Sequence, residues 1–150
     1  MIRRTRGGVL ATILGAALFL AACAESNPPR PEIQAEDAWV RVVAGPDANT
    51  AAYMVLRNAG DAADRLTGAR AEAARMTELH RTTIDQAGLA RMGHVEGLDV
   101  PAGGAAVLEP GGYHLMLMGV GALAEGDTVH ITLVLEASES VQVAAEVRAF

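Results

Sequence analysis

Seven clusters of turn-forming residues cut this chain into short apolar pieces, and that punctuation constrains the fold more than any other feature. They are GPDAN (45–49), NAGDAAD (58–64), DQAG (85–88), PAGG (101–104), EPGG (109–112), AEGD (124–127) and ASES (137–140). Between them lie segments with strand character at 38–44, 51–57, 65–71, 74–83, 89–96, 105–109, 112–119, 128–136 and 140–147. Many short strands at roughly even spacing, with turn signals between most of them, specify an all-β antiparallel sandwich or barrel rather than a βαβ fold. The alanine-rich stretch 69–75 has helical propensity, but its length and neighbours assign it to strand or loop. Aromatic residues are few, so Val, Leu, Ala, Ile and Met must fill the core.

The first residues have a different character. Arg3, Arg4 and Arg6 precede an apolar run over 9–20, which ends in small residues. That is the pattern of a secretory signal peptide, and the run is shorter than the roughly 20 residues a membrane span needs. Leu20, Ala21, Ala22 and Cys23 resemble a bacterial lipoprotein cleavage box. This predicts removal of residues 1–22 and lipidation of Cys23. The alternative is cleavage at an ordinary A-x-A site, which would leave Cys23 as an unpaired thiol in a secreted protein. Residues 23–36 then form the lipidated cysteine and a Pro-rich polar linker, and 37–150 a single domain. The chain is expected to face the periplasm or its equivalent in the cell envelope, attached to a membrane by lipid alone. Ala24 is not the aspartate of an inner-membrane retention signal, which points to the outer membrane if the cell is Gram-negative.

Cleavage would also change the charge. Three arginines leave and none of the 18 acids does, so net charge moves from −6 to −9. A chain this acidic does not suit nucleic acid as a partner. The acids are scattered and match no calcium loop. The domain has no G-x-S-x-G elbow, Walker A loop, H-E-x-x-H pair or cysteine nucleophile, so no enzyme class finds its residues and a non-enzyme is expected.

Metal chemistry does find its residues. Over 112–119, side chains alternate so that His114, Met116 and Met118 share one face while Tyr113, Leu115 and Leu117 share the other. If the segments flanking 85–88 pair as a hairpin centred on Gln86, His80 lies opposite Met92 and Glu78 opposite His94, with opposed Cβ atoms about 5 Å apart. Two His–Met pairs brought together would make a His2Met2 set from His80, Met92, His114 and Met116. Thioethers are soft and uncharged, which suits Cu(I), and imidazole accepts Cu(I), Cu(II) and Zn alike. A blue-copper site needs a thiolate, and the only cysteine is committed to the anchor. His94 and His130 are assigned to ordinary satisfied or surface roles, Met54 and Met76 to the core, and Trp39 and Tyr113 to packing. Met118 and Tyr113 are candidates to back the ligands, Tyr113 by shielding the metal from water.

At these residues the chain resembles the PCu(A)C family of periplasmic copper chaperones, whose pattern is His, an often-present Met, ten residues, Met, twenty-one residues, His, any residue, Met. His80, Met92, His114 and Met116 keep that spacing. The stretches AWVRVVAGPDANTAAYMVLRNAGDAADRL and VPAGGAAVLEPGGYHLMLMGV are similar to the family's two halves. The resemblance implies a cupredoxin-like β-sandwich that binds one Cu(I) and delivers it to cuproenzyme assembly. The copper centres of cytochrome oxidase are the implied destination, with thioredoxin-like assembly factors as partners. Arg81 stands where many members have a methionine, and the chain ends at Phe150 without the His- and Met-rich tail some relatives carry, so a tail-based Cu(II) site is not expected. The competing expectation is a structural or adhesive β-sandwich lipoprotein of the envelope with no metal transfer.

Overall fold

The computed structural model describes residues 27–149, so the expected signal peptide over 1–22, the expected lipidation site Cys23 and Phe150 lie outside the described residues. Ten strands account for the domain: β1 (Ile33–Arg41), β2 (Ala48–Asn58), β3 (Asp64–Ala71), β4 (Met76–Ile84), β5 (Ala90–His94), β6 (Leu98–Val100), β7 (Ala105–Leu108), β8 (Tyr113–Val120), β9 (Thr128–Leu135) and β10 (Val141–Arg148). No helix occurs among the described residues, and the expected all-β fold is the one found. Hydrogen bonding links the strands in the order β5-β4-β8-β7-β2-β1-β10-β9-β3-β6, with β8 also pairing β2. The sheet folds over so that β3 packs against β4.

Two features depart from expectation. β1 begins at Ile33, inside the stretch assigned to the linker, and Ile33 to Glu36 pair with Asn58 to Val55 of β2. Buried Ile33 and half-buried Ala35 alternate with exposed Gln34 and Glu36, a period-two pattern masked by the prolines just before it. The sheet is also mixed, since β1 runs parallel to β10.

The core is one cluster built by that same alternation. Ala52, Met54 and Leu56 of β2 join Leu79, Leu115, Leu117 and Val120, and meet Leu66, Val129, Ile131, Leu133, Ala145 and Val147. Burying a leucine fully contributes about 1.5–3 kcal/mol, and the cluster dispenses with large aromatics by using many such side chains. Met54 belongs to it, as expected. Met76 does not: it is 51% exposed, on the other face of β4 from Leu79.

Core packing on one face of β2, β4 and β8 leaves the opposite face free. Two local devices shape that face. A bulge in β1 between Glu36 and Trp39, with Asp37 at φ 47°, brings Trp39 opposite Tyr53, and the two rings lie 4.6 Å apart. At the entry to β8, the amide of Gly112 donates to the carbonyl of Glu109 at 3.0 Å, with Pro110 and Gly111 between them. Gly111 sits at φ 82°, as the third residue of a type II turn requires. This turn sets where His114 begins.

Candidate metal site

Three strands present the site. β4 pairs with β8 so that His80 faces His114 directly, and Glu78 faces Met116. β5 covers the other edge of β4, pairing His80 with His94 and Thr82 with Met92. The expected hairpin register is therefore wrong: Met92 is not opposite His80, and His94 is not opposite Glu78. The cause is the turn. The amide of Asp85 donates to the carbonyl of Leu89 at 2.9 Å, so the three-residue loop is 86–88 rather than the 85–87 of a hairpin centred on Gln86, and Gly88, at φ 77°, belongs to the turn. The Asp85 carboxylate accepts from the amides of Ala87 and Leu89, both at 2.9 Å, and these bonds with Arg91 hold its pKa below the ordinary carboxylate value. The resulting slip is two residues rather than one. Parity survives, and His80, Met92 and His94 still share a face.

On that face Met92 reaches across β4. Its Sδ lies 3.3 Å from Nε2 of His114. His114 is 4% exposed, closed in by Met92 and by the ring of Tyr53, whose centroid is 6.3 Å away. The other nitrogen, Nδ1, lies 3.2 Å from the carbonyl of Gly112. A carbonyl only accepts, so Nδ1 carries the hydrogen and Nε2 presents its lone pair to the thioether. Two lone pairs thus face one another with no hydrogen between them. Burial holds the His114 pKa below its ordinary value against the Gly112 bond, and the proximity of the His80 ring further disfavours a proton on His114. The ring is neutral at neutral pH, as ligation requires.

His80 shows the same asymmetry. Its Nε2 donates to the Glu78 carboxylate at 3.0 Å, while Nδ1 is buried with no hydrogen-bond partner. Buried polar atoms in native proteins are ordinarily satisfied, so an orphaned imidazole lone pair requires a ligand or an explanation. The His80 and His114 ring centroids are 5.9 Å apart. Met116, two residues beyond His114, lies on the same face and lines a groove of about 580 Å³ with Tyr53, Thr82, Met92, Pro110 and His114. The four residues selected from spacing thus converge on one face.

The backing residues fall differently. Met118 is on the same face as His114, paired with Met76 of β4. Tyr113 is not: it packs toward the core side, and the Arg81 guanidinium sits over its ring at 5.0 Å. The aromatic that shields the site is Tyr53, which sequence patterning did not single out because the bulge and the β2–β8 pairing that bring it there are non-local. Burial raises the Tyr53 pKa, so it offers a neutral phenol rather than an anionic ligand. His130 is exposed on β9, as expected. His94 is exposed as well, yet one donor atom from each of Glu78, His80 and His94 lies within 4.8 Å of the others. Glu78 and His94 were legible as neighbours of His80 on the alternating face, but not as a group with it.

Residues 33–147 match the LpqE-like family, a family named for lipoproteins. A Leifsonia xyli protein named as a lipoprotein, Lxx21020, is 31% identical over 148 residues, covering 97% of this chain and 88% of that one. The solution structure of apo-DR1885 from Deinococcus radiodurans is 32% identical, covers 97% of both chains and superposes with a TM-score of 0.55. This chain belongs to the LpqE-like family. The Cu(I) form of DR1885 is 35% identical over 85% of this chain and 83% of that one, with a TM-score of 0.56. The apo PCuAC domain from PmoF1, at 24% identity, shares the fold with a TM-score of 0.66 over 78% of this chain and 93% of its own.

Proposed function

We propose that this protein is an envelope copper chaperone, anchored through lipidated Cys23, which carries one Cu(I) on His80, Met92, His114 and Met116. It hands the ion to cuproenzyme assembly, toward the copper centres of cytochrome oxidase, with a thioredoxin-like assembly protein as recipient. The observation that carries this reading is the pair of unsatisfied imidazole lone pairs, one facing a thioether at 3.3 Å and the other buried without a partner. Two neutral nitrogens beside two thioethers make a soft, uncharged donor set, the kind that selects Cu(I) over harder divalent ions. The Cu(I)-bound state of DR1885 supports the choice of ion.

The arrangement also suits release. Met92 is 54% exposed on the short edge strand β5, so one ligand is open to an incoming partner while His114 stays sealed. Methionine ligands need no deprotonation and resist the thiol exchange that would disable cysteine in an oxidising compartment. Glu78 holds the Nε2–H of His80, which fixes the ring and leaves Nδ1 as the donor. Competition with a chromophoric Cu(I) chelator tests the proposal. The wild-type protein should withdraw one equivalent of Cu(I), and the His80→Ala plus His114→Ala variant none; equal binding by both would dismiss it.

A further inference from the structure

The ligand face holds a second set of donors beyond the four assigned to Cu(I). Glu78, His80 and His94 bring one donor atom each to within 4.8 Å of one another. β4 and β5 impose the grouping: Glu78 and His80 are alternate residues of one strand, and His94 is paired directly across from His80. The His80 and His94 rings stand edge to face at 6.2 Å. Glu78 and His80 are half-buried and His94 is exposed, so the group opens to solvent. Its chemistry differs from that of the groove. Two imidazoles and a carboxylate are borderline and hard donors with one negative charge, which suits a divalent first-row cation and lacks the thioethers that favour Cu(I).

We propose that Glu78, His80 and His94 form a site for a borderline divalent cation, Zn(II) or Cu(II), and that this site excludes Cu(I) from the groove because both need His80. This rests on the Cu(I) assignment above. A neutral imidazole has one lone pair. With Nε2–H donated to Glu78, that pair is on Nδ1, as described for Cu(I). A cation bound between Glu78 and His94 takes the pair at Nε2, moves the hydrogen to Nδ1 and removes His80 from the copper set. The cation's hardness thus decides which half of the face is occupied.

Zn(II), which is redox-silent, is the probe. Titration of the purified protein with Zn(II) against a chromophoric zinc chelator should show one equivalent bound. His94→Ala should lower Zn(II) affinity at least about tenfold, the scale of losing one ligand or its support, and leave Cu(I) affinity unchanged. The Met92→Leu plus Met116→Leu variant should do the reverse, and Zn(II)-loaded protein should take Cu(I) only as Zn(II) leaves. Equal Zn(II) affinity in His94→Ala and wild type would overturn the site, and simultaneous binding of both metals would overturn the sharing of His80. Should the double methionine variant keep full Cu(I) affinity, the copper assignment fails while the divalent site stands.

Discussion

Two groups of buried or half-buried polar residues in this domain are handled in opposite ways. At the end of β2, Asn58 is 2% exposed and uses every polar atom of its side chain: Oδ1 accepts from the amides of Glu32 and Gly60, and Nδ2 donates to the carbonyls of Ala62 and Val100. Nearby Asp64 is 6% exposed and accepts from the amides of Arg65, Ala137 and Ser138. Burial pushes its pKa upward, but hydrogen bonds from Ser138, Ala137 and Arg65 win and hold it below the ordinary value. His80 and His114, on the ligand face, each have one ring nitrogen satisfied and the other left bare. Saturated groups fasten strands to loops. Half-saturated ones are oriented by the bond they make and kept available by the bond they lack.

The contrast predicts that substitutions at the two places separate binding from stability. The largest effect is expected on Cu(I) affinity when both histidines are replaced, more than about 100-fold, since loss of an outer partner alone costs up to that much. Thermal unfolding of that variant should show no comparable loss. Asn58→Ala should do the opposite, lowering stability by about 2–4 kcal/mol because several buried backbone groups lose their partner together. Denaturant titration measures this, and the folded fraction should still bind one Cu(I). A stable Asn58→Ala protein, or one that has lost its metal while folded, would dissolve the distinction.

Smaller effects test how the bonds orient His114. Gly111→Ala places a side chain in the left-handed region and should cost about 1–2 kcal/mol. Because that turn delivers the Gly112 carbonyl to His114, Cu(I) affinity should fall as well, which a purely structural turn would not cause. The smallest effect is on pH dependence. The His114 pKa in the folded protein is depressed below the unfolded value of about 6.5. Its contribution to stability is thus present above pH 6.5 and is lost as pH falls from there through the depressed folded value. Melting temperature should decline over this range, and His114→Gln should flatten that part of the profile.

Legibility from sequence divides along the same line. Turn clusters and alternation located nine of the ten strands, because both signals are local; β6, three residues long, is too short to carry a period. The four proposed Cu(I) ligands followed from spacing and from the chemistry of their side chains. Their mutual arrangement did not. The β4–β5 register depended on whether Gly88 belongs to the turn or to the strand, and the approach of Tyr53 depended on a bulge in β1 and on pairing between distant strands. Met76 looked like core from its composition, yet parity with His80 puts it on the ligand face. Glu78 and His94 looked like a bland pair until the register put His94 beside His80.

A Cu(I) carrier of this kind requires thioether and imidazole to bind the same ion. X-ray absorption at the copper edge of the Cu(I)-loaded protein measures this directly. Sulfur and nitrogen scatterers should appear together, and the sulfur shell should vanish when Met92 and Met116 are replaced by leucine. A first shell of nitrogen and oxygen alone in the wild-type protein would contradict it.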